Sequence, residues 1–221
     1  MQKMRIQVMS GGPYVVSGGV PLKEIAPVQT LNGENVDWHV LRELEETRDL
    51  YALCRCGRSS DKPFCDGSHA SEPWSEAETA DRRSVVERAN RIEGAGGIMF
   101  DDESVCIGAG FCGTRTTNAW ELIEEDGEEA RERVTAMVGR CPTGRLAIVY
   151  EEGTEPVEPK FESEIAVIPG GPLWVRGGVS IESADGAAWE VQNRRTLCRC
   201  GASSNKPFCD GAHTDIHFDE R

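Results

Sequence analysis

Residues 53–69 read LCRCGRSSDKPFCDGSH, and residues 197–213 read LCRCGASSNKPFCDGAH. Each Cys and His of the second stretch lies 144 positions after its counterpart, with no gap inside the motif. Upstream, GGPYVVSGGV at 11–20 returns as GGPLWVRGGV at 170–179, displaced by 159. The first copy therefore carries 15 extra residues between its Gly-Gly-Pro segment and its Cys-rich loop. This pattern marks a duplicated unit of about 50 to 60 residues, not a chance likeness of two loops. In each copy a short apolar run follows Gly-Gly-Pro: Tyr14-Val15-Val16 and Leu173-Trp174-Val175. Gly-Gly then makes a turn and a second β-type segment follows. Asp66 and Asp210 stand where a helix N-cap would be wanted, which places His69 and His213 in the first turn of a short helix.

The nine cysteines fall into three groups: Cys54, Cys56, Cys65; Cys106, Cys112, Cys141; and Cys198, Cys200, Cys209. An odd number makes a poor disulfide framework, so metal ligation or redox chemistry is the better reading. The repeated windows share the spacing C-x-C, eight residues, Cys, three residues, His. One reading is a structural zinc site of three Cys and one His. Zinc sites usually use C-x(2–4)-C pairs, and C-x-C is tight for one tetrahedral ion. A two-iron centre would take the C-x-C pair on one iron and the Cys and His on the other. On spacing alone both readings stand.

Both windows resemble the CDGSH iron–sulfur proteins, the mitoNEET-type family. The matching residues are Cys54, Cys56, Ser59, Pro63, Cys65, Asp66, Gly67, Ser68 and His69. In the second copy they are Cys198, Cys200, Ser203, Pro207, Cys209, Asp210, Gly211 and His213, with Ala212 in place of Ser. The resemblance implies one [2Fe–2S] cluster per motif, held by three Cys and one His. It also implies an intrachain pseudo-dimer, because family members are interlocked β-rich dimers or single chains with two motifs. A neutral imidazole ligand should raise the reduction potential and couple reduction to protonation. Lys62 and Lys206 sit in the ligand loops, where they could offset cluster charge or simply be solvated.

The middle segment differs. Cys106 and Cys112 flank IGAGF, and Cys141 precedes Pro142. A bacterial ferredoxin run is C-x2-C-x2-C with a distant Cys-Pro. Here Ala109 occupies the middle cysteine's place, and a methyl group cannot bind iron. Residues 97–100 and 146–150 read as two strands that could pair, and 128–138 as a helix with Val134, Met137 and Val138 on one face and Arg140 at its end. The segment resembles the small single-cluster ferredoxins, including a divergent type often fused to CDGSH units. Some of that type read C-A-H-A-G-x-C, and Gly108 replaces their His here. Cys106, Cys112 and Cys141 suit a [3Fe–4S] cluster, which needs three thiolates. A [4Fe–4S] cluster with a non-Cys fourth ligand is the alternative.

The chain of 221 residues has 24 Lys and Arg against 38 Asp and Glu, a formal net charge of −14. That argues against a nucleic-acid binder or a polybasic membrane anchor. No apolar run reaches a membrane span, and the N-terminus lacks a signal-peptide pattern, so a cytoplasmic location is expected. The expected fold is α+β and β-rich. The expected divisions are a first unit at 1–71, a connecting helix or linker at 72–93, a ferredoxin-like domain at 94–152, a linker at 153–160 and a second unit at 161–221. Val40 to Leu50 could form a short amphipathic helix, and His39 and His217 read as surface or packing residues. No Walker loop, dinucleotide fingerprint or hydrolase elbow is present, so a carrier is expected rather than a turnover enzyme. The expectation is one-electron transfer with redox partners that dock through a basic surface. The alternative is a cluster-transfer or sensor protein that serves apo-proteins. Neither nucleic acid nor membrane is expected as a partner, and the expected assembly is a monomer with its internal pseudo-dimer.

Overall fold

The structure, a computed structural model, describes residues 3–44, 49–71 and 73–219. The first copy contributes β1 (Arg5–Val8), β2 (Tyr14–Ser17), β3 (Leu22–Gln29), β4 (Asn35–Glu43) and β5 (Leu50–Leu53). The middle segment contributes α1 (Val85–Arg88), β6 (Asn90–Gly94), β7 (Gly97–Asp101), α2 (Ala119–Glu124), α3 (Glu128–Arg140) and β8 (Leu146–Val149). The second copy contributes β9 (Glu164–Val167), β10 (Leu173–Arg176), β11 (Ser180–Glu182), β12 (Arg194–Leu197) and α4 (Ala212–Asp215).

Alternation along β1 and β2 buries Ile6, Val8, Tyr14 and Val16 completely. Strands this short bury too little to stand as isolated hairpins, and the two copies complete each other by exchanging strands. One sheet has the order β11-β1-β2-β5, and a second has the order β12-β10-β9-β3-β4. The first is thus built from three strands of the first copy and one lent by the second, and the second from three strands of the second copy and two, β3 and β4, lent by the first. The lent strands pair in parallel, with Ile6 opposite Ile181 and Leu22 opposite Ile165. Adding 159 to 6 and 22 gives 165 and 181, so the two registers are equivalent. Ile6, Val16, Leu22, Leu53, Ile165, Val175, Ile181 and Leu197 all belong to one core drawn from both copies. The chain therefore forms an intrachain pseudo-dimer.

The exchanged pairs carry opposite charges in reversed order. Arg5 of β1 meets Glu182 of β11 at 3.3 Å, whereas Glu164 of β9 meets Lys23 of β3 at 2.5 Å. Position 5 corresponds to 164, and position 23 to 182. Pairing a copy with its own kind would set Arg5 against Lys23 or Glu164 against Glu182. The turn that follows β2 and β10 approaches the chain closely in both copies. A Cβ at Gly18 would lie 2.7 Å from the Lys3 carbonyl, and one at Gly177 would lie 2.4 Å from the Glu162 carbonyl. Both residues have positive φ, 87° and 72°, so glycine is required twice over.

The middle segment forms its own sheet, β6-β7-β8, covered by α2 and α3. β7 and β8 pair antiparallel, with Ile98 opposite Val149. Val134, Met137 and Val138 of α3 face Met99, Leu146 and Ile148 in one core. The extra strand β6 begins at Asn90, ahead of the expected domain start.

Two local expectations fail. Residues 35–43 form an edge strand rather than a helix, because β3 offers a pairing partner and Val40 and Leu41 find no core to face. Of the rest of that stretch, 45–48 lie outside the described residues, and Leu50 opens β5. Asp66 and Asp210 are not N-caps; Gly67 and Gly211 hold that position in left-handed conformation, with φ of 89° and 94°. Between residues 73 and 89 the chain runs as a linker whose only helix is the single turn α1, set by a capping box between Ser84 and Glu87. No helix among the described residues is long and apolar enough to cross a membrane.

Candidate metal centres

Each Cys-rich loop leaves the last strand of its copy, β5 or β12, and doubles back on it. Cys54 N donates to Pro63 O and Cys65 N to Ala52 O, at 2.8 and 2.9 Å. Cys198 N and Cys209 N repeat this on Pro207 O and Thr196 O, at 2.9 and 3.0 Å. Ser59 Oγ and Ser203 Oγ donate to the carbonyls of Phe64 and Phe208 and close the loop from inside. Asp66 accepts from Ser68 and Ser60, and these hydrogen bonds hold its carboxyl well below the usual range. The carboxylate thereby ties both ends of the ligand loop together.

The donor atoms come in pairs. Cys54 Sγ lies 3.9 Å from Cys56 Sγ, and Cys198 Sγ lies 3.7 Å from Cys200 Sγ. Cys65 Sγ lies 3.4 Å from His69 Nδ1, and Cys209 Sγ lies 3.3 Å from His213 Nδ1. Two thiolates on one tetrahedral ion, with bonds of about 2.3 Å, sit about 3.8 Å apart; a thiolate and an imidazole sit about 3.5 Å apart. Both kinds of pair match that geometry. Among the described residues no three His, Cys, Asp or Glu side chains are grouped as one ion would need. The donor set thus suits two ions per motif better than one. Burial pushes the Cys209 thiol up to about 12. The hydrogen bond between Cys198 and Cys200 lowers the Cys198 thiol, and the same bond raises Cys200. A bound cation would relieve this crowding by stabilising thiolates.

The two motifs meet at the pseudo-twofold axis, where Cys56 and Cys200 form an antiparallel bridge. A Cβ on Gly57 would lie 2.4 Å from the Cys200 carbonyl, and one on Gly201 would lie 2.5 Å from the Cys56 carbonyl. Glycine after each second cysteine lets the backbones touch there. The symmetry ends at Tyr14, whose hydroxyl donates to Cys198 O at 2.7 Å and to Pro207 O at 3.0 Å. Its counterpart Leu173 has no hydroxyl. Sequence reading missed Tyr14, since its role depends on the other copy's loop.

Lys62 Nζ donates to Ser59 O at 2.6 Å, and Lys206 Nζ donates to Ser203 O. Lys206 is 4% exposed, so the solvated reading fails for it. The structure leaves His39 exposed on β4. His217 lines a cleft of about 340 Å³ together with His213, Ile107 and Gly108.

Cys106, Cys112 and Cys141 line a single cavity of about 160 Å³. Ile107 to Phe111, Thr143, Arg145 and Leu146 complete its wall, which holds no His, Asp or Glu. Cys141 Sγ lies 3.3 Å from Thr143 Oγ1. Arg145 hydrogen-bonds Cys106 and makes two bonds to the buried Asp101, at 2.6 and 3.0 Å. It therefore places a fixed positive charge at the cavity edge. Sequence reading also missed Arg145, although its position four residues after Cys141 offered a signal.

Two family models match the chain. An iron-binding zinc finger of the CDGSH type matches residues 11–70 and 170–214, and a divergent 4Fe–4S mono-cluster matches residues 92–151. No curated protein and no solved structure matches it.

Proposed function

We propose that this iron–sulfur protein, whose two CDGSH segments flank a divergent mono-cluster segment, works in one-electron transfer. Cys54, Cys56, Cys65 and His69 would hold one [2Fe–2S] cluster, and Cys198, Cys200, Cys209 and His213 a second. Cys106, Cys112 and Cys141 would hold a [3Fe–4S] cluster. The observation that carries the reading is the pairing of donors, Sγ with Sγ and Sγ with Nδ1, at separations suited to two metal ions per motif. When bound, such clusters supply one-electron redox chemistry. The chain's own residues do the tuning: the loops bury the paired cysteines, the Asp66 and Asp210 carboxylates pin the loops, and Arg145 lays a cation against Cys106. The excess of 38 acidic over 24 basic residues favours partners with a basic docking surface.

Three thiols and no other charged or imidazole ligand in the middle cavity support three irons. The matching 4Fe–4S mono-cluster model supports four irons, which would need a non-Cys fourth ligand. Low-temperature EPR with spin counting, on anaerobically purified and mildly oxidised protein, separates them. About one spin per chain establishes the three-iron centre. A silent red-brown sample whose iron content exceeds that of two [2Fe–2S] clusters points to four irons, and a colourless one means zinc or empty sites and removes the electron-transfer reading.

A second reading is cluster delivery to apo-proteins. It is favoured by the partial exposure of His69 and His213 beside buried Cys54, Cys56, Cys198 and Cys200. Intact transfer to an apo-ferredoxin, faster in mild acid, would support it. Fast reversible reduction without cluster loss would support electron transfer.

A further inference from the structure

The middle segment does not sit evenly between the two copies. A Cβ on Gly211, two residues from both Cys209 and His213, would lie 3.0 Å from the Cys106 carbonyl. Asn205 Nδ2 of the second motif donates to Ser104 O at 3.0 Å. Arg194, 1% exposed, donates to Cys141 O at 3.0 Å, to Leu146 O at 3.2 Å and to Val138 O, and pairs with Glu158. The first copy lacks these donors: Leu50 stands for Arg194 and Asp61 for Asn205. Leu50 remains 61% exposed.

The hairpin of β3 and β4, which the first copy alone carries, grips the same loop from the other side. Asn35 Nδ2 donates to Ala109 O at 2.8 Å, inside the Cys106–Cys112 loop. Trp38 stacks on Phe111 with ring centroids 4.8 Å apart, and its Nε1 donates to Arg140 O at 2.9 Å, next to Cys141. Strand exchange explains the placement. β3 pairs with β9, so an insertion in the first copy emerges on the second copy's side.

We propose that Asn35 and Trp38 of this hairpin, with Arg194, form a clamp that holds the middle cysteine loop against the second motif, so that the middle and second centres form a close pair. The duplicated centres are then unequal: the second adjoins the middle centre and the first stands apart from it. Asn35 and Trp38 are positioning residues, because they act through Ala109, Phe111 and Arg140 and touch no cysteine sulfur. The inference rests on the proposed cluster occupancy, not on electron transfer as the function.

The test uses the full chain with all clusters loaded and fully reduced, when every proposed centre is paramagnetic. His69→Cys and His213→Cys versions identify which [2Fe–2S] signal belongs to which copy. Pulsed EPR should show faster spin relaxation for the second copy's signal than for the first. Equal relaxation, or a faster first copy, overturns the clamp while leaving occupancy intact; absent iron signals overturn occupancy itself. In addition, Asn35→Ala with Trp38→Ala should release the middle cluster to a chelator about tenfold faster, the scale expected for lost outer-shell support. Both CDGSH signals should persist, and Trp38→Phe with Asn35 intact should recover most of the retention. Unchanged release from folded double variant also overturns the proposal. If the double variant does not fold, the relaxation comparison on the unaltered chain decides.

Discussion

At the residue scale, two side chains outside the ligand sets carry the sharpest consequences. Tyr14 is fully buried, and desolvation raises its phenol well above the ordinary value, so the hydroxyl stays a donor. It serves two carbonyls of the other copy's ligand loop. Tyr14→Phe should cost about 1–3 kcal/mol in denaturant unfolding, the scale for leaving the buried Cys198 carbonyl unpaired, since Pro207 O keeps the Cys198 amide. It should also speed iron loss from the second motif more than from the first, as site-resolved EPR would show. Equal loss from both would mean that Tyr14 supports only the common core. Arg145 is the second case. Arg145→Gln should lower the reduction potential of the middle centre in a redox titration and leave the two CDGSH potentials in place, because it removes the positive charge that meets Cys106. Arg145→Lys keeps the charge but not the paired bonds to Asp101, and should fall between the two.

At the element scale, the exchanged strands are the device that joins the copies. Their reversed ion pairs favour pairing between unlike copies. Arg5→Glu sets two carboxylates together across β1 and β11 and should cost about 0.5–1 kcal/mol, since the pair is partly exposed. Adding Glu182→Arg should recover most of that loss. A double-mutant cycle from chemical denaturation measures the coupling, and a coupling near zero would reduce the charge pattern to incidental surface charge. β4 carries the complementary lesson. Its residues alternate poorly for a buried strand and read equally well as a helix, and only the availability of β3 as a neighbour settles them. The helix expectation fails over 40–43 for that cause. The expected N-caps at Asp66 and Asp210 fail for a related reason: the following glycine takes the left-handed cap geometry, and the carboxylate one residue earlier accepts from the first helical amide while its other oxygen binds Ser60 or Ser204.

At the scale of the whole molecule, the clusters and the fold are expected to depend on each other. The eight proposed ligand residues sit in two loops that touch at Cys56 and Cys200, and the strands feeding those loops belong to shared sheets. Stripping iron with a chelator should therefore lower the thermal midpoint and broaden the transition of the entire pseudo-dimer, because ligand binding contributes to folding free energy. Circular dichroism melts of loaded and stripped protein test this, and coincident melts would show that the apo fold stands without its metals. The middle segment, with a core of its own around Met99, Leu122 and Val134, should lose less structure than the pseudo-dimer.

Much was legible in the residues alone. The duplication at displacements of 144 and 159, the three cysteine groups, the β-type runs after Gly-Gly-Pro and the helix over 128–138 are local patterns, and local patterns follow from spacing and side-chain chemistry. The pairing of the copies could also be anticipated from the repeat. The exchange of β3 and β11, the reach of Tyr14 into the opposite loop, the cation at Cys106 and the seat of the middle cavity beside the second motif were decided by tertiary structure. Each joins residues far apart in the chain, and their contacts depend on which strand lies beside which. Spacing fixes which atoms can share a metal within a loop; only the packed sheets determine what stands around that loop.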